Sequence, residues 1–154
     1  MSGSGVFLAD ADATEKMGAA LARCPWLEQV RRIHLEGDLG AGKTTFVRGL
    51  LHALGHRGAV RSPTYTLLEP YEFPELTVLH LDLYRVADPE ELENLGLREQ
   101  SDARTLWLVE WPERGSGWLP PPDLEIVLDR EGDGRRLWFK GPSAGIVARQ
   151  VVAD

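Results

Sequence analysis

The 154-residue chain is 43% hydrophobic and 27% charged, proportions that predict one globular domain over 1–154 and exclude a disordered or fibrous chain. A formal net charge of −7, from 24 acidic and 17 basic residues, argues against wrapping nucleic acid by bulk electrostatics. No apolar run approaches the ~18–20 residues of a membrane span, and the start MSGSGVFLAD lacks the pattern of a secretory signal. The expectation is a cytoplasmic protein that does not engage a membrane.

Residues 1–5 are Gly/Ser-rich and read as a flexible start. Asp12 and Glu15 have capping-box spacing, and Met17, Leu21 and Cys24 recur at helical intervals, so a helix is predicted over about 13–23, stopped by Pro25. Cys24 is the only cysteine, so it has no disulfide partner within the chain; it reads as a buried or half-buried thiol, which fits a reducing compartment. Val30–Glu36 reads as a strand. Phe46, Val47, Leu50, Leu51 and Leu54 then follow helical spacing, with Gly55 where a C-terminal cap belongs.

The stretch after Gly55 is rich in Gly and Pro and suits a loop, with a strand around Tyr65–Tyr71. Leu76–Leu83 reads as a buried strand. Asp88-Pro89-Glu90-Glu91 is a helix start, with Gly96 ending that helix. Thr105–Trp111 is another buried strand. Asp123–Leu128 and Arg135–Phe139 flank Glu131-Gly132-Asp133-Gly134, which reads as a hairpin. The alternation predicts an α/β domain: a mixed, mostly parallel sheet with helices on both faces and a C-terminal antiparallel hairpin.

Gly37-Asp38-Leu39-Gly40-Ala41-Gly42-Lys43-Thr44 satisfies G-x-x-x-x-G-K-[ST] at every required position, between a predicted strand and a predicted helix. Glycines let successive N–H groups point into one anion-sized concavity, and the following helix aims its positive end at the same place. Lys43 brings a point charge to the β- and γ-phosphates, and Thr44 brings a hydroxyl to Mg²⁺. The nucleotide-binding set is Asp38, Leu39, Gly40, Ala41, Gly42, Lys43, Thr44 and Thr45, in a P-loop NTPase domain. Asp38 is given no catalytic role.

Holding Mg²⁺ and orienting a nucleophile needs acidic groups at neighbouring strand ends. Val78–Asp82 and Leu106–Glu110 are apolar runs that each end in a carboxylate. If both strands flank the P-loop strand, Asp82 and Glu110 converge on the metal. Which of them binds it, and which polarises the attacking water, stays open at this level. Ser62 and Thr64 in Ser62-Pro63-Thr64-Tyr65-Thr66 sit where a γ-phosphate-sensing loop belongs, or form a plain turn. Arg85 reads as a phosphate or partner contact or a surface ion pair. Trp111 reads as core or as a base-stacking ring, and His80 as a hydrogen-bonded core histidine.

GDLGAGKTT, SPTYTL, HLDLYR, DPEELENLG and LVEWPERG, in this order, resemble the TsaE (YjeE) family of bacterial tRNA threonylcarbamoyladenosine biosynthesis proteins. The matching segments run from about Asp12 to Arg136. The resemblance implies a small P-loop ATPase with a mixed sheet. It implies work with the partners TsaB and TsaD in making N6-threonylcarbamoyladenosine at position 37 of tRNAs that read ANN codons; the acidic charge fits indirect tRNA contact through a protein partner. It implies ATP/ADP and Mg²⁺ as cofactors, phosphate binding by Lys43, and magnesium positions at Thr44 and Glu110. Asp82 and Thr64 match further functionally sensitive positions, and the segment near Thr14 is placed toward the adenine.

Three rivals share parts of this pattern. A small-molecule or nucleoside kinase shares the P-loop and acidic strand ends, but no organised arginine-bearing lid is legible. A regulatory GTPase lacks its N-K-x-D sequence here. A non-catalytic nucleotide-binding adaptor predicts binding without turnover.

Overall fold

The structure is a computed structural model that describes residues 5–24 and 30–152. The predicted Pro25 helix stop, and all but Gly5 of the predicted flexible start, lie outside the described residues. The elements are β1 (Val6–Leu8), α1 (Ala11–Ala22), β2 (Arg32–Glu36), α2 (Lys43–Leu54), β3 (Leu68–Phe73), β4 (Leu76–Asp82), α3 (Leu97–Gln100), β5 (Thr105–Glu110), β6 (Leu124–Glu131), β7 (Gly134–Lys140) and α4 (Ala144–Val152). Among the described residues, no helix is long and apolar enough to cross a membrane.

The strands form one seven-stranded sheet in the order β1-β7-β6-β2-β5-β4-β3. Pairing is parallel across the four central strands β6-β2-β5-β4 and antiparallel for β1–β7, β6–β7 and β3–β4. The chain leaves β2 toward β4 and β5 on one side and comes back to β6 on the other. The C-terminal end of β2 is therefore a switch point, where open α/β sheets leave a crevice. Asp123, just before β6, accepts from the Arg31 and Arg32 amides at 2.8 and 3.0 Å and so pins the entry of β2.

Strand alternation sorts the core into two layers. Ile33, Leu35, Val78, Leu106 and Leu108 join Phe46, Val47, Leu50 and Leu51 of α2, together with α1 and α4. Leu79, Leu81, Trp107 and Val109 face the other way, under Leu92 and Leu97. Each such fully buried side chain contributes about 1.5–3 kcal/mol. Helices α1 and α2 meet through Gly18 and Gly49. A methyl group on Gly18 would strike the Phe46 carbonyl, and one on Gly49 the Glu15 carbonyl.

Several expectations need correction. Helix α1 starts earlier than predicted, and its cap is Asp10, whose side chain accepts from the Ala13 amide at 2.8 Å. Asp12 stands inside the first turn instead. The segment after Asp88 has its full capping box, but Pro89–Leu95 winds as a tight 3₁₀ helix rather than an α-helix. The strand expected around Tyr65–Tyr71 begins at Leu68, because residues 63–67 form a turn closed by Leu67 N donating to Pro63 O at 2.7 Å. Strand β1 and helix α4 were not anticipated at all.

Candidate functional site

The cleft opens at the C-terminal end of β2. Gly37, Gly40 and Gly42 take φ of 154°, 79° and 112°, positions where a side chain would be strained. Gly42 caps α2 without a side-chain hydrogen bond, and no acid occupies the first turn. The first-turn amides and the positive end of the helix are therefore open to an anion.

Lys43 is only 5% exposed. Its Nζ donates to the Gly37 carbonyl oxygen and, at 3.4 Å, to that of Asp38, so the ammonium folds back on its own loop. The Trp111 ring covers it, with Nζ 3.9 Å from the ring centroid. Burial pushes the ammonium below the usual lysine range, and Glu110, Glu113, Asp82 and Asp38 pull it partly back. A polyphosphate in the cleft would add the counter-charge that burial makes valuable. Trp111 holds its place at φ 58°, a left-handed conformation that costs a bulky residue on the order of 1–3 kcal/mol. Its ring also packs on Tyr84 with centroids 4.9 Å apart.

Both expected carboxylates reach this cleft, though of the two strands that carry them only β5 is a direct neighbour of β2. Asp82 lies opposite Glu110 in the parallel β4–β5 register, which carries it to the same end of the sheet. Glu110 accepts from Thr44 Oγ1 with both oxygens, at 3.1 and 3.2 Å. His80 Nε2 lies 2.6 Å from Glu110 Oε2. Asp82 Oδ2 accepts from the Ser62 hydroxyl and, at 3.3 Å, from Thr64 Oγ1. Asp82 Oδ1 accepts from the Tyr84 amide at 2.9 Å. The Ser62–Thr64 turn is thus tied by its hydroxyls to a strand-end carboxylate.

Lys43, Thr44, Ser62, Thr64, Asp82 and Glu110 line one cavity of about 340 Å³. Asp38, Leu39, Gly40, Gly42 and Thr45 line it as well, while Ala41 is buried beneath. Leu39 stands 63% exposed. Thr14 is fully buried, bonded to the Asp10 carbonyl at 3.0 Å and to Arg135, and does not line the cavity; Ala11, one turn earlier, does. A larger cavity of about 650 Å³ lies elsewhere, beside Cys24, Leu54 and Phe73, away from these carboxylates.

The sequence offers Arg135 only as one of several arginines able to supply charge and gives it no place in the site. Arg135 lines the cleft, its Nη1 donates to Thr14 Oγ1 at 3.1 Å, and its Nε is buried without a hydrogen-bond partner among the described residues. Arg130 donates to the Gly40 carbonyl at 3.3 Å. Both stand on the β6–β7 hairpin, and no local pattern announces that this hairpin folds against the P-loop. Arg85 stacks on the exposed Tyr65 ring at 4.3 Å and pairs with no carboxylate among the described residues.

Comparison with known proteins identifies the family and the fold. The family model described as threonylcarbamoyl adenosine biosynthesis protein TsaE matches residues 8–137. The tRNA threonylcarbamoyladenosine biosynthesis protein TsaE of Haemophilus influenzae is 47% identical over 110 residues, covering 71% of this chain and 70% of that protein. The Bacillus subtilis protein of the same name is 45% identical over 102 residues, covering 66% and 63%. The crystal structure of Bacillus subtilis YdiB superposes with a TM-score of 0.75 at 28% identity, over 97% of this chain and 94% of that one. The matched span contains the phosphate loop and both strand-end acids, and the chain belongs to the TsaE family.

Proposed function

We propose that this protein binds ATP with Mg²⁺ and hydrolyses it in the service of tRNA threonylcarbamoyladenosine (t6A37) modification, acting with TsaD- and TsaB-like partners. One observation carries the reading. Lys43, Thr44, Asp82 and Glu110, contributed by α2 and two strand ends, share a single cavity with the open amides of α2. The catalytic set is Lys43, Asp82, Glu110 and Thr64, and the metal set is Thr44, Glu110 and Asp82.

The donor chemistry fits the metal: a hydroxyl and two carboxylates are hard oxygen ligands of the kind Mg²⁺ takes alongside retained waters. When bound, the ion neutralises charge on the β- and γ-phosphate oxygens. The chain's own residues do the rest. Lys43 leaves its loop carbonyls for the phosphates, and the α2 amides hold the chain of phosphates in place. Thr44 and Glu110, which hydrogen-bond each other here, would hold the ion. Thr64 and Ser62 couple the 62–67 turn to Asp82, so a change at the γ-phosphate reaches the rim at Tyr65.

The cleft is open, and this chain supplies little to close over a γ-phosphate. Turnover alone is therefore slow, and a partner surface completes the site, as supplied groups do in other P-loop systems. The acidic balance fits docking on protein better than on tRNA directly. The deciding experiment is ATPase activity with and without the TsaB–TsaD pair, beside a phosphate-acceptor screen. Stimulation by the pair with water as acceptor supports the reading. Phosphate arriving on a small-molecule acceptor would make the protein a kinase, and tight nucleotide binding with no turnover in either setting would make it an adaptor.

A further inference from the structure

We propose that His80 is a positioning residue for Glu110, holding that carboxylate in the orientation from which it meets the metal; the inference rests on the Mg²⁺–nucleotide reading of the cleft. On β4, His80 and Asp82 fall on the same face of the sheet as Glu110 of β5, because side chains two apart share a face. His80 is fully buried, and Glu110 is only 2% exposed. The 2.6 Å contact between Nε2 and Oε2 is therefore shielded from water, where such bonds hold geometry best.

The direction of the bond follows from the partners. A carboxylate oxygen accepts, so the proton sits on Nε2 and points at Glu110. His80 Nδ1 is buried with no hydrogen-bond partner among the described residues. With the proton on Nε2, Nδ1 presents only a lone pair. With the proton on Nδ1 instead, an unpaired donor would be buried and two lone pairs would face each other, which is the costlier arrangement. Oε2 thus receives both His80 and Thr44, whereas Oε1 receives Thr44 alone and keeps more of its lone-pair capacity free. Hydrogen bonds behind a ligating carboxylate orient it and tune it, and their loss commonly costs 10–100-fold in metal affinity.

The test separates a steering role from a packing role with two variants of similar bulk. In His80→Gln the side-chain amide nitrogen falls near the place of Nε2; in His80→Asn it falls near the place of Nδ1, short of Glu110. ADP affinity is measured by calorimetry with Mg²⁺ and with EDTA, and melting temperatures are recorded alongside. The expected result is that His80→Asn loses roughly tenfold or more of the Mg²⁺-dependent gain in affinity. Its affinity in EDTA stays at the wild-type level, and His80→Gln retains most of the gain. Equal behaviour of the two variants, or a parallel loss with and without Mg²⁺, overturns the steering role. A wild-type protein that shows no Mg²⁺-dependent gain would instead sink the nucleotide reading beneath it.

Discussion

Asp82 and Glu110 occupy facing positions on adjacent parallel strands, yet their hydrogen-bond partners are entirely separate. Glu110 is tied to the P-loop through Thr44, and Asp82 to the 62–67 turn through Ser62 and Thr64. The register thus sets a P-loop-facing acid beside a turn-facing acid, with like charges that a cation would relieve.

This division gives a signed prediction for Glu110→Gln. Removing one negative charge beside the phosphates leaves Mg²⁺-free nucleotide binding equal to wild type or tighter. Removing a carboxylate from the metal shell lowers Mg²⁺-dependent hydrolysis by roughly a hundredfold, the scale seen when a preorganised stabilising group is lost. Calorimetry in EDTA and partner-stimulated ATPase rates read the two halves independently. An unchanged rate removes Glu110 from the site.

Lys43→Ala deletes a buried cation that, among the described residues, bonds only to loop carbonyls and the Trp111 ring. Hydrogen bonds to charged groups contribute roughly 1.5–3 kcal/mol each, so nucleotide affinity should fall by roughly 10–100-fold. Stability should not fall with it, since burial already holds the ammonium at a disadvantage in the free protein. A melting temperature that drops while ADP affinity is retained would reverse this assignment.

The legible parts of the molecule are those whose signal is local. The P-loop, the capping box at Asp88–Glu91 and the hairpin turn at Gly132-Asp133 are each written in a few consecutive residues, and each stands where its spacing placed it. The capping box nonetheless opens a 3₁₀ helix, because a cap fixes where a helix begins and not how tightly it winds. Strand β1 has only three residues and exists by pairing with β7, a partner about 130 positions away in sequence, so no local periodicity marks it. Arg130 and Arg135 have no readable place in the site for the same reason: they reach it only when the hairpin stacks on the P-loop. Trp111 was placed at the right strand end, but its role over Lys43 depends on a left-handed backbone that composition does not reveal.

Two glycine substitutions with opposite signs test the helix packing that seats the P-loop. Gly49→Ala gains up to about 1 kcal/mol of helix propensity. It also drives a methyl into the Glu15 backbone, which cannot swing aside as a side chain would. Overpacking of this kind costs typically 1–3 kcal/mol and should win, lowering the melting temperature by several degrees. Gly145→Ala in α4 has only the far end of Arg149 nearby, at 3.7 Å, and should stabilise by roughly 0.5–1 kcal/mol. If both variants melt alike, the close approach of α1 and α2 is not what limits that position.

His34 supplies a pH dependence whose sign is fixed by burial. The ring lies on β2, is 7% exposed, and its Nε2 is buried without a partner. Desolvation, helped by the Arg32 charge, lowers its pKa from 6.5 to about 4. Above pH 6.5 the folded and unfolded chains are both deprotonated at this ring, and the full stability is present. As pH falls toward 4, the unfolded chain takes up a proton that the folded ring refuses, and stability is lost. A shift of this size corresponds to roughly 2–3 kcal/mol across that window. Carboxylates titrate in the same range, so the comparison must be made against His34→Ile, which keeps a β-favouring apolar residue in the strand. Urea midpoints at pH 7 and pH 4.5 should show the wild type losing roughly 2 kcal/mol more than the variant. Equal losses in the two chains would mean that the ring gains its proton in the folded state as readily as in the unfolded one.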